Sequence, residues 1–222
     1  MNPKQIAGEK AVEYVKDGMV LGLGTGSTVY WTIQKLGQMV KEGLQIKGIP
    51  TSIQTETIAK ELNIPLLDFS EIEKIDLTID GADEIDDNLN LIKGGGGALL
   101  REKIVASASE RMIVVADESK VSKVLGSFPL PVEVTRFGWE NTMRRITKLG
   151  GQPTLRMSEG QTYITDNGNY ILDCKFERIK DPAQLNTDLN LIPGVVENGI
   201  FPNMADMIIV GMNNGELKVS TK

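Results

Sequence analysis

The chain has no histidine and one cysteine, Cys174. Without imidazole there is no Ser-His-Asp triad, no Cys-His pair and no metal site built on histidine. A single thiol gives no support to a zinc centre, cannot form an intrachain disulfide, and suits a reducing compartment. General acid–base work near neutral pH must then fall to Asp, Glu, Lys or Tyr. Every apolar run is interrupted by charge or glycine before it reaches membrane-span length. The stretch "MNPKQIAGEKAVEYV" lacks the apolar centre and cleavage site of a signal peptide, so the expected location is the cytoplasm. Positive charge is also scarce: 24 Lys and Arg against 30 Asp and Glu give a net charge of −6, with no basic stripe. Nucleic acid is therefore not an expected partner, and neither is a membrane. A few local lysines and backbone amides can still hold one small anion.

What is present is enough apolar residue, 41% of 222, to build one large domain or a domain with a smaller companion. Helical periodicity covers 4–16, with Ile6, Ala7, Ala11, Val12 and Val15 on one face. Strand "MVLGLG" follows, then a helix from near Ser27, strand "LQIKGIP", helix "SIQTETIAKELN", strand "KIDLTID", a helix over 98–110 and strand "RMIVVAD". Parallel strands joined by helical crossovers predict an open α/β sheet with both faces covered. The prolines of "GSFPLPVEV" mark a boundary near residue 125. Beyond it the order strand, helix, strand, strand, helix, strand predicts a split βαβ subdomain, with a hairpin at "DNGN" and "GVVENGIF" as its last strand. The run "MIIVGM" is expected to return to the first sheet. The predicted domains are thus 1–125 with 203–222, and 126–202.

Four stretches carry chemistry. "GLGTGST" (22–28) ends a strand and opens a helix, where amides, the helix N-terminus and the hydroxyls of Thr25, Ser27 and Thr28 suit a phosphate. A dinucleotide fingerprint fails because position 27 is Ser and no acid closes the second strand; a Walker lysine is also missing. The plain alternative is an ordinary strand-to-helix turn. "KGGGGALLREK" (93–103) places four costly glycines before a helix, as a nest of amides for developing negative charge, with Lys93 at its entrance and Glu102 one turn in. Its plain alternative is a flexible loop before a surface Glu. "DGADEID" (80–86) ends a strand on the edge where open α/β sheets place ligands. An EF-hand fails there, since Ile85 stands in place of the glycine and Leu91 in place of the final Glu. Mg²⁺ between Asp80 and Asp83 is an alternative without a dedicated signature. Asp80 and Asp83 are expected to face a cleft, and Asp86 and Asp87 to be solvated. "ADESK" offers Lys120 at the same edge. Tyr14, Trp31 and Trp139 are expected to pack, and Cys174 to lie in a strand core.

A phosphate cradle, an amide nest, one Glu and two Asp on one sheet edge suit proton transfer beside the carbonyl of a small phosphorylated polyol. At these residues the chain closely resembles ribose-5-phosphate isomerase of the A type. The matching stretches are "GLGTGSTV", "PTSIQTE", "IDGADEID", "LIKGGGGALLREKIVA", "VVADESK", "LPVEV", "ILDCKF" and "IPGVVENGIF", in the family's order over essentially the whole chain. The resemblance implies interconversion of ribose 5-phosphate and ribulose 5-phosphate through an enediolate, without metal or organic cofactor. It implies a homo-oligomer, dimer or tetramer, and a Rossmann-like sheet with a ferredoxin-like β-α-β-β-α-β insertion after residue 125. It makes Glu102 the base, and has Asp80 and Asp83 of "DGAD", with Gly81 and Ala82 between them, contact sugar hydroxyls. Lys93 with Gly94, Gly95 and Gly96 would bind the reacting end. Thr25, Gly26, Ser27 and Thr28 would bind the phosphate side with Lys120, and Lys4 by its spacing from "EYV". Gly97 stands where the family commonly has Ala, a departure that removes no functional group. The smaller domain carries none of these motifs and is expected to help subunits pair. The rival readings are a sugar-phosphate sensor without turnover and a nucleotide-dependent dehydrogenase. The first has no helix-turn-helix here, and the second has no fingerprint.

Overall fold

The apolar β-branched runs assemble into a six-stranded sheet in the computed structural model, which describes residues 2–222. Its order is Leu217–Thr221, Met207–Gly211, Met112–Asp117, Leu77–Gly81, Val20–Leu23 and Lys47–Pro50. All neighbours pair in parallel except Leu217–Thr221, which runs antiparallel to Met207–Gly211. Met112–Asp117 is buried along its whole length, as expected for a parallel strand covered on both faces. The edge strand Leu217–Thr221 is mostly exposed and has no apolar run to announce it.

The helix predicted over 4–16 is shorter. It runs Pro3–Ala11, with the Asn2 side chain accepting from the Lys4 amide at 3.1 Å and Pro3 in the first turn. Val12–Tyr14 then tightens to a 3₁₀ turn and Val15 goes extended toward the sheet. Ala7, Ala11, Ile33, Leu36, Ile79 and Val115 join one core between helices and sheet. No helix among the described residues is long and apolar enough to cross a membrane.

The chain forms two compact units. One comprises the residues up to Ala82 with Arg101–Lys120 and Met204–Lys222; the other comprises Asp83–Leu100 and Val121–Asn203. Residues 83–100, 121–125 and 203, grouped by sequence with the first unit, go with the second. The reason is local pairing: Leu91–Ile92 lies between Glu84–Ile85 and Ile200–Phe201 in a small antiparallel sheet.

The second unit also holds a four-stranded antiparallel sheet in the order Val195–Asn198, Leu130–Val134, Tyr170–Lys175, Gln152–Leu155. Helices Trp139–Lys148 and Pro182–Asn190 complete the β-α-β-β-α-β pattern. Cys174 is fully buried in this core, where burial pushes its thiol far above the ordinary value.

Two expectations are corrected here. "GVVENGIF" is not one strand: Val195–Asn198 and Ile200–Phe201 belong to different sheets. Gly199 makes the crossing, since a Cβ there would lie 2.3 Å from the Lys93 carbonyl oxygen. "DNGN" closes a local turn, with the Gly168 amide on the Thr165 carbonyl at 2.9 Å, but does not join two paired strands. Gln161–Thr162 pairs with Met157–Ser158 instead. The turn's polar groups point inward: Thr165 Oγ1, Asn167 Nδ2 and Asn169 Nδ2 donate to Glu133 Oε1 at 2.9, 3.2 and 2.9 Å.

Candidate active site

In the first unit, the carboxyl ends of neighbouring parallel strands carry the polar groups. Val20–Leu23 leads into Gly24–Thr28 and the helix Val29–Lys41, while Leu77–Gly81 and Met112–Asp117 end in Asp80 with Gly81, and in Asp117. The strand after Val20–Leu23 lies on one side of it and the next on the other, so the chain reverses between the Gly24–Thr28 loop and Asp80. Open α/β sheets bind ligands at such a reversal. Asp80 is fully buried, and its Oδ1 accepts the Thr25 amide at 3.1 Å and the Gly81 amide at 2.7 Å.

Lys4 reaches this loop from the first helix. Its Nζ donates to Ser27 Oγ at 2.9 Å and stands 4.0 Å from Asp117 Oδ2. Burial pushes the Asp117 carboxyl up, but the Ser119 hydroxyl and amide, with Lys4 and Lys120, hold it below the usual carboxylate value. Lys120 ends the short turn Glu118–Lys120. Gly26 carries the open turn before the helix, and Thr28 is buried at the helix entry.

The Thr25 hydroxyl does not stand ready for a ligand as the sequence suggests. It is engaged by Thr51 at 2.7 Å, Ser52 at 2.8 Å and Thr55 at 3.1 Å, all buried. The sequence gives these hydroxyls no individual role, although they lie in the matching stretch "PTSIQTE". The available signal was a run of hydroxyl residues, "PTS", at the carboxyl end of the adjacent strand.

Glu102 sits in the first turn of the helix Leu99–Ser107 and is 4% exposed. A surface glutamate at this position is therefore ruled out.

In the second unit, Asp83 Oδ2 accepts the Gly95 amide at 2.7 Å. Lys93 is 1% exposed, and its ammonium lies 5.5 Å from the centre of the Phe201 ring, within cation–π range. The glycines between are held from the other side by residues of the same unit. Arg156 Nη1 donates to the Gly94 and Gly95 carbonyls at 3.0 and 3.1 Å, and the Tyr163 hydroxyl to Gly96 O at 3.3 Å. Gly97 has φ +83, and a Cβ there would lie 2.1 Å from the Tyr163 hydroxyl. Segments beyond residue 125, expected to carry none of the site, thus brace the glycine loop.

The acids of "DGADEID" divide differently from expectation. Asp87 is exposed, but Asp86 is buried and accepts the Asn88 amide, the Asn90 amide and Asn90 Nδ2 at 2.9, 2.8 and 2.9 Å. It knits its own turn, as a short carboxylate does. Glu84 is also buried, accepting from Ser122 Oγ and the amides of Gly126, Ser127 and Phe128. Among the described residues no group of three or more Cys, Asp or Glu side chains is placed to hold a metal ion.

Known proteins resemble this chain closely. The family model for ribose 5-phosphate isomerase A (phosphoriboisomerase A) matches residues 47–215. A ribose-5-phosphate isomerase A of Bacillus mycoides is 57% identical over 216 residues, covering 97% of this chain and 98% of the relative. One of Listeria monocytogenes is 52% identical over 223 residues, covering 100% of both. A solved D-ribose-5-phosphate isomerase in complex with phospho-erythronic acid matches with a TM-score of 0.96 at 43% identity over 100% of each chain. The ribose 5-phosphate isomerase of Plasmodium falciparum gives 0.94 at 42%, covering 99% of this chain and 97% of its own.

Proposed function

The chain belongs to the ribose 5-phosphate isomerase A family and interconverts ribose 5-phosphate and ribulose 5-phosphate in the pentose phosphate pathway, and from that premise we propose which residues do the work. Glu102 takes the C2 proton of the open-chain aldose and returns it to C1. The electron pair left behind forms an enediolate, whose oxygen is met by the Lys93 ammonium and by loop amides among Gly94–Gly96. Asp80 and Asp83 hold sugar hydroxyls and move protons between O1 and O2. Lys4, Ser27, Thr28 and Lys120, with Gly26, take the phosphate, where the helix N-terminus adds partial positive charge. The scheme uses neither metal nor organic cofactor.

The observation that carries this assignment is the burial of Glu102 one turn after the glycine loop. The carboxylate is kept from bulk water there, and it has no histidine to compete with for the role. The test is conversion of ribose 5-phosphate in EDTA without added cofactor, by wild type and Glu102→Gln. The assignment requires wild-type turnover and a loss of about 10³-fold or more in kcat in the variant, with substrate still bound. A variant within tenfold of wild type would remove Glu102 from the role of base.

The cytoplasm is the proposed location, supported by the lone buried thiol. A homo-oligomer is the proposed assembly, supported by Phe137, 96% exposed, and Leu191, 75% exposed, on the second unit. Replacing both with Asp should lower the mass measured by light scattering; an unchanged mass would place any subunit contact elsewhere.

A further inference from the structure

Arg156 donates from all three nitrogens of its guanidinium. Nε donates to Asp173 Oδ2 at 2.9 Å and Nη2 to Asp173 Oδ1, a two-pronged grip on a strand residue. That leaves Nη1, which donates to two consecutive carbonyls, Gly94 and Gly95. The side chain is only 13% exposed, so this is not a solvated surface pair.

The peptide unit is planar and trans, so a carbonyl and the next amide N–H point in opposite directions. The unit between Gly94 and Gly95 is held at both ends, its carbonyl by Arg156 and its amide by Asp83. The unit between Gly95 and Gly96 is held by Arg156 at its carbonyl alone. Its amide must therefore point away from Arg156. The Gly96 amide donates to no group among the described residues, and Gly96 is exposed. Tyr163, with its hydroxyl on the Gly96 carbonyl and its ring 5.7 Å from the guanidinium, limits the next peptide in turn.

We infer that Arg156, clamped by Asp173, is a positioning residue that aims the Gly96 amide at the oxygen that becomes negative in the enediolate. The inference rests on the reading of the glycine loop as an anion nest. Preorganised donors gain their effect by needing no rearrangement when charge develops, and four successive glycines would not stay aligned unaided. Lysine is no substitute, because one ammonium cannot both fork onto a carboxylate and reach two carbonyls.

The test compares full-length wild type, Arg156→Lys and Asp173→Asn, with thermal melting to confirm folding. Two ligands of equal length serve as probes: 4-phosphoerythronate, whose carboxylate mimics the enediolate, and erythritol 4-phosphate, which has no such charge. For Arg156→Lys, kcat is expected to fall about 10- to 100-fold, with KM within about threefold. Affinity for 4-phosphoerythronate should fall by the same factor, while affinity for erythritol 4-phosphate holds. Asp173→Asn, which keeps the guanidinium but loosens its grip, should shift both in the same direction by less, and carries the test if the lysine variant does not fold. If wild type prefers 4-phosphoerythronate and both variants keep that preference and kcat, the inference is overturned alone. If wild type shows no preference, the anion-nest reading fails and the inference with it.

Discussion

The Glu84 carboxylate accepts a hydrogen bond from the Gly126 amide at 2.9 Å, across 42 positions of the chain. An acid from the most acidic stretch of the sequence thus acts as an internal strap for the segment 122–128, together with its bonds to Ser122, Ser127 and Phe128. Burial pushes the Glu84 carboxyl up, but those four donors outweigh it and hold the group below its ordinary value.

The direction of that shift sets a pH dependence. A carboxyl whose folded value lies below its unfolded value, near 4.3, stabilises the fold above that pH and loses the contribution as pH falls through the folded value. Glu84→Gln should cost about 1–3 kcal/mol at pH 7. Its penalty should shrink below about pH 4, where wild type loses the same stabilisation. Urea unfolding at pH 7 and pH 3.5 measures both; a penalty equal at the two pH values would mean that the charge contributes nothing.

Lys4 offers a cleaner separation of binding from chemistry. Its contact with Ser27 and its approach to Asp117 put a cation beside the loop proposed to take the phosphate, remote in role from the proton transfer proposed for Glu102. Lys4→Ala should raise KM for ribose 5-phosphate about tenfold and leave kcat within about threefold, because uniform binding is lost. The effect should shrink at high salt, where exposed charges are screened. Steady-state kinetics at two ionic strengths decide it, and a fall in kcat at unchanged KM would contradict the assignment.

Glu133 tests how a buried charge is tolerated. Oε1 takes three donors from the 165–169 turn, while Oε2 is buried and meets no hydrogen-bond partner among the described residues. Glu133→Ala takes the acceptor from buried Thr165 and half-buried Asn169, and should cost about 3 kcal/mol, a drop of roughly 6–12 °C in Tm. Glu133→Gln keeps an acceptor for the same donors and should cost less than half as much. Calorimetry on both variants checks this. Equal losses would show that the negative charge, and not the acceptor, is what the turn requires.

These residues also show where sequence legibility ends. The strand Met112–Asp117 could be read from its residues because burial on both faces demands an unbroken apolar run. Leu217–Thr221 could not, since an exposed edge strand needs no apolar pattern. The glycine run stands out in the sequence because four consecutive glycines are costly without a use, and the glutamate that follows it is buried. The fates of Asp86 and Glu84 were not, because a loop has no periodicity to say which acids turn inward. Arg156 was invisible for a related reason: its partner Asp173 is 17 residues away and the carbonyls it holds are about 60 away, so no local motif records them.

Gly97 gives the sharpest case of such a long-range dependence, and a last prediction. Two separate demands fall on it: a positive φ of +83, and a ring whose hydroxyl would sit 2.1 Å from any Cβ. Gly97→Ala alone should meet both the backbone strain and the clash with Tyr163, at about 2–4 kcal/mol. Tyr163→Val removes the clash but not the strain, so the double variant should recover all but about 1–2 kcal/mol relative to Tyr163→Val alone. A double-mutant cycle by thermal or urea unfolding supplies the coupling energy. Were the two substitutions simply additive, Tyr163 would not be the reason for glycine here, and the backbone angle alone would account for it. A strong coupling would instead mean that alanine at position 97 is barred by one aromatic ring, so that residues 97 and 163 can only be exchanged together.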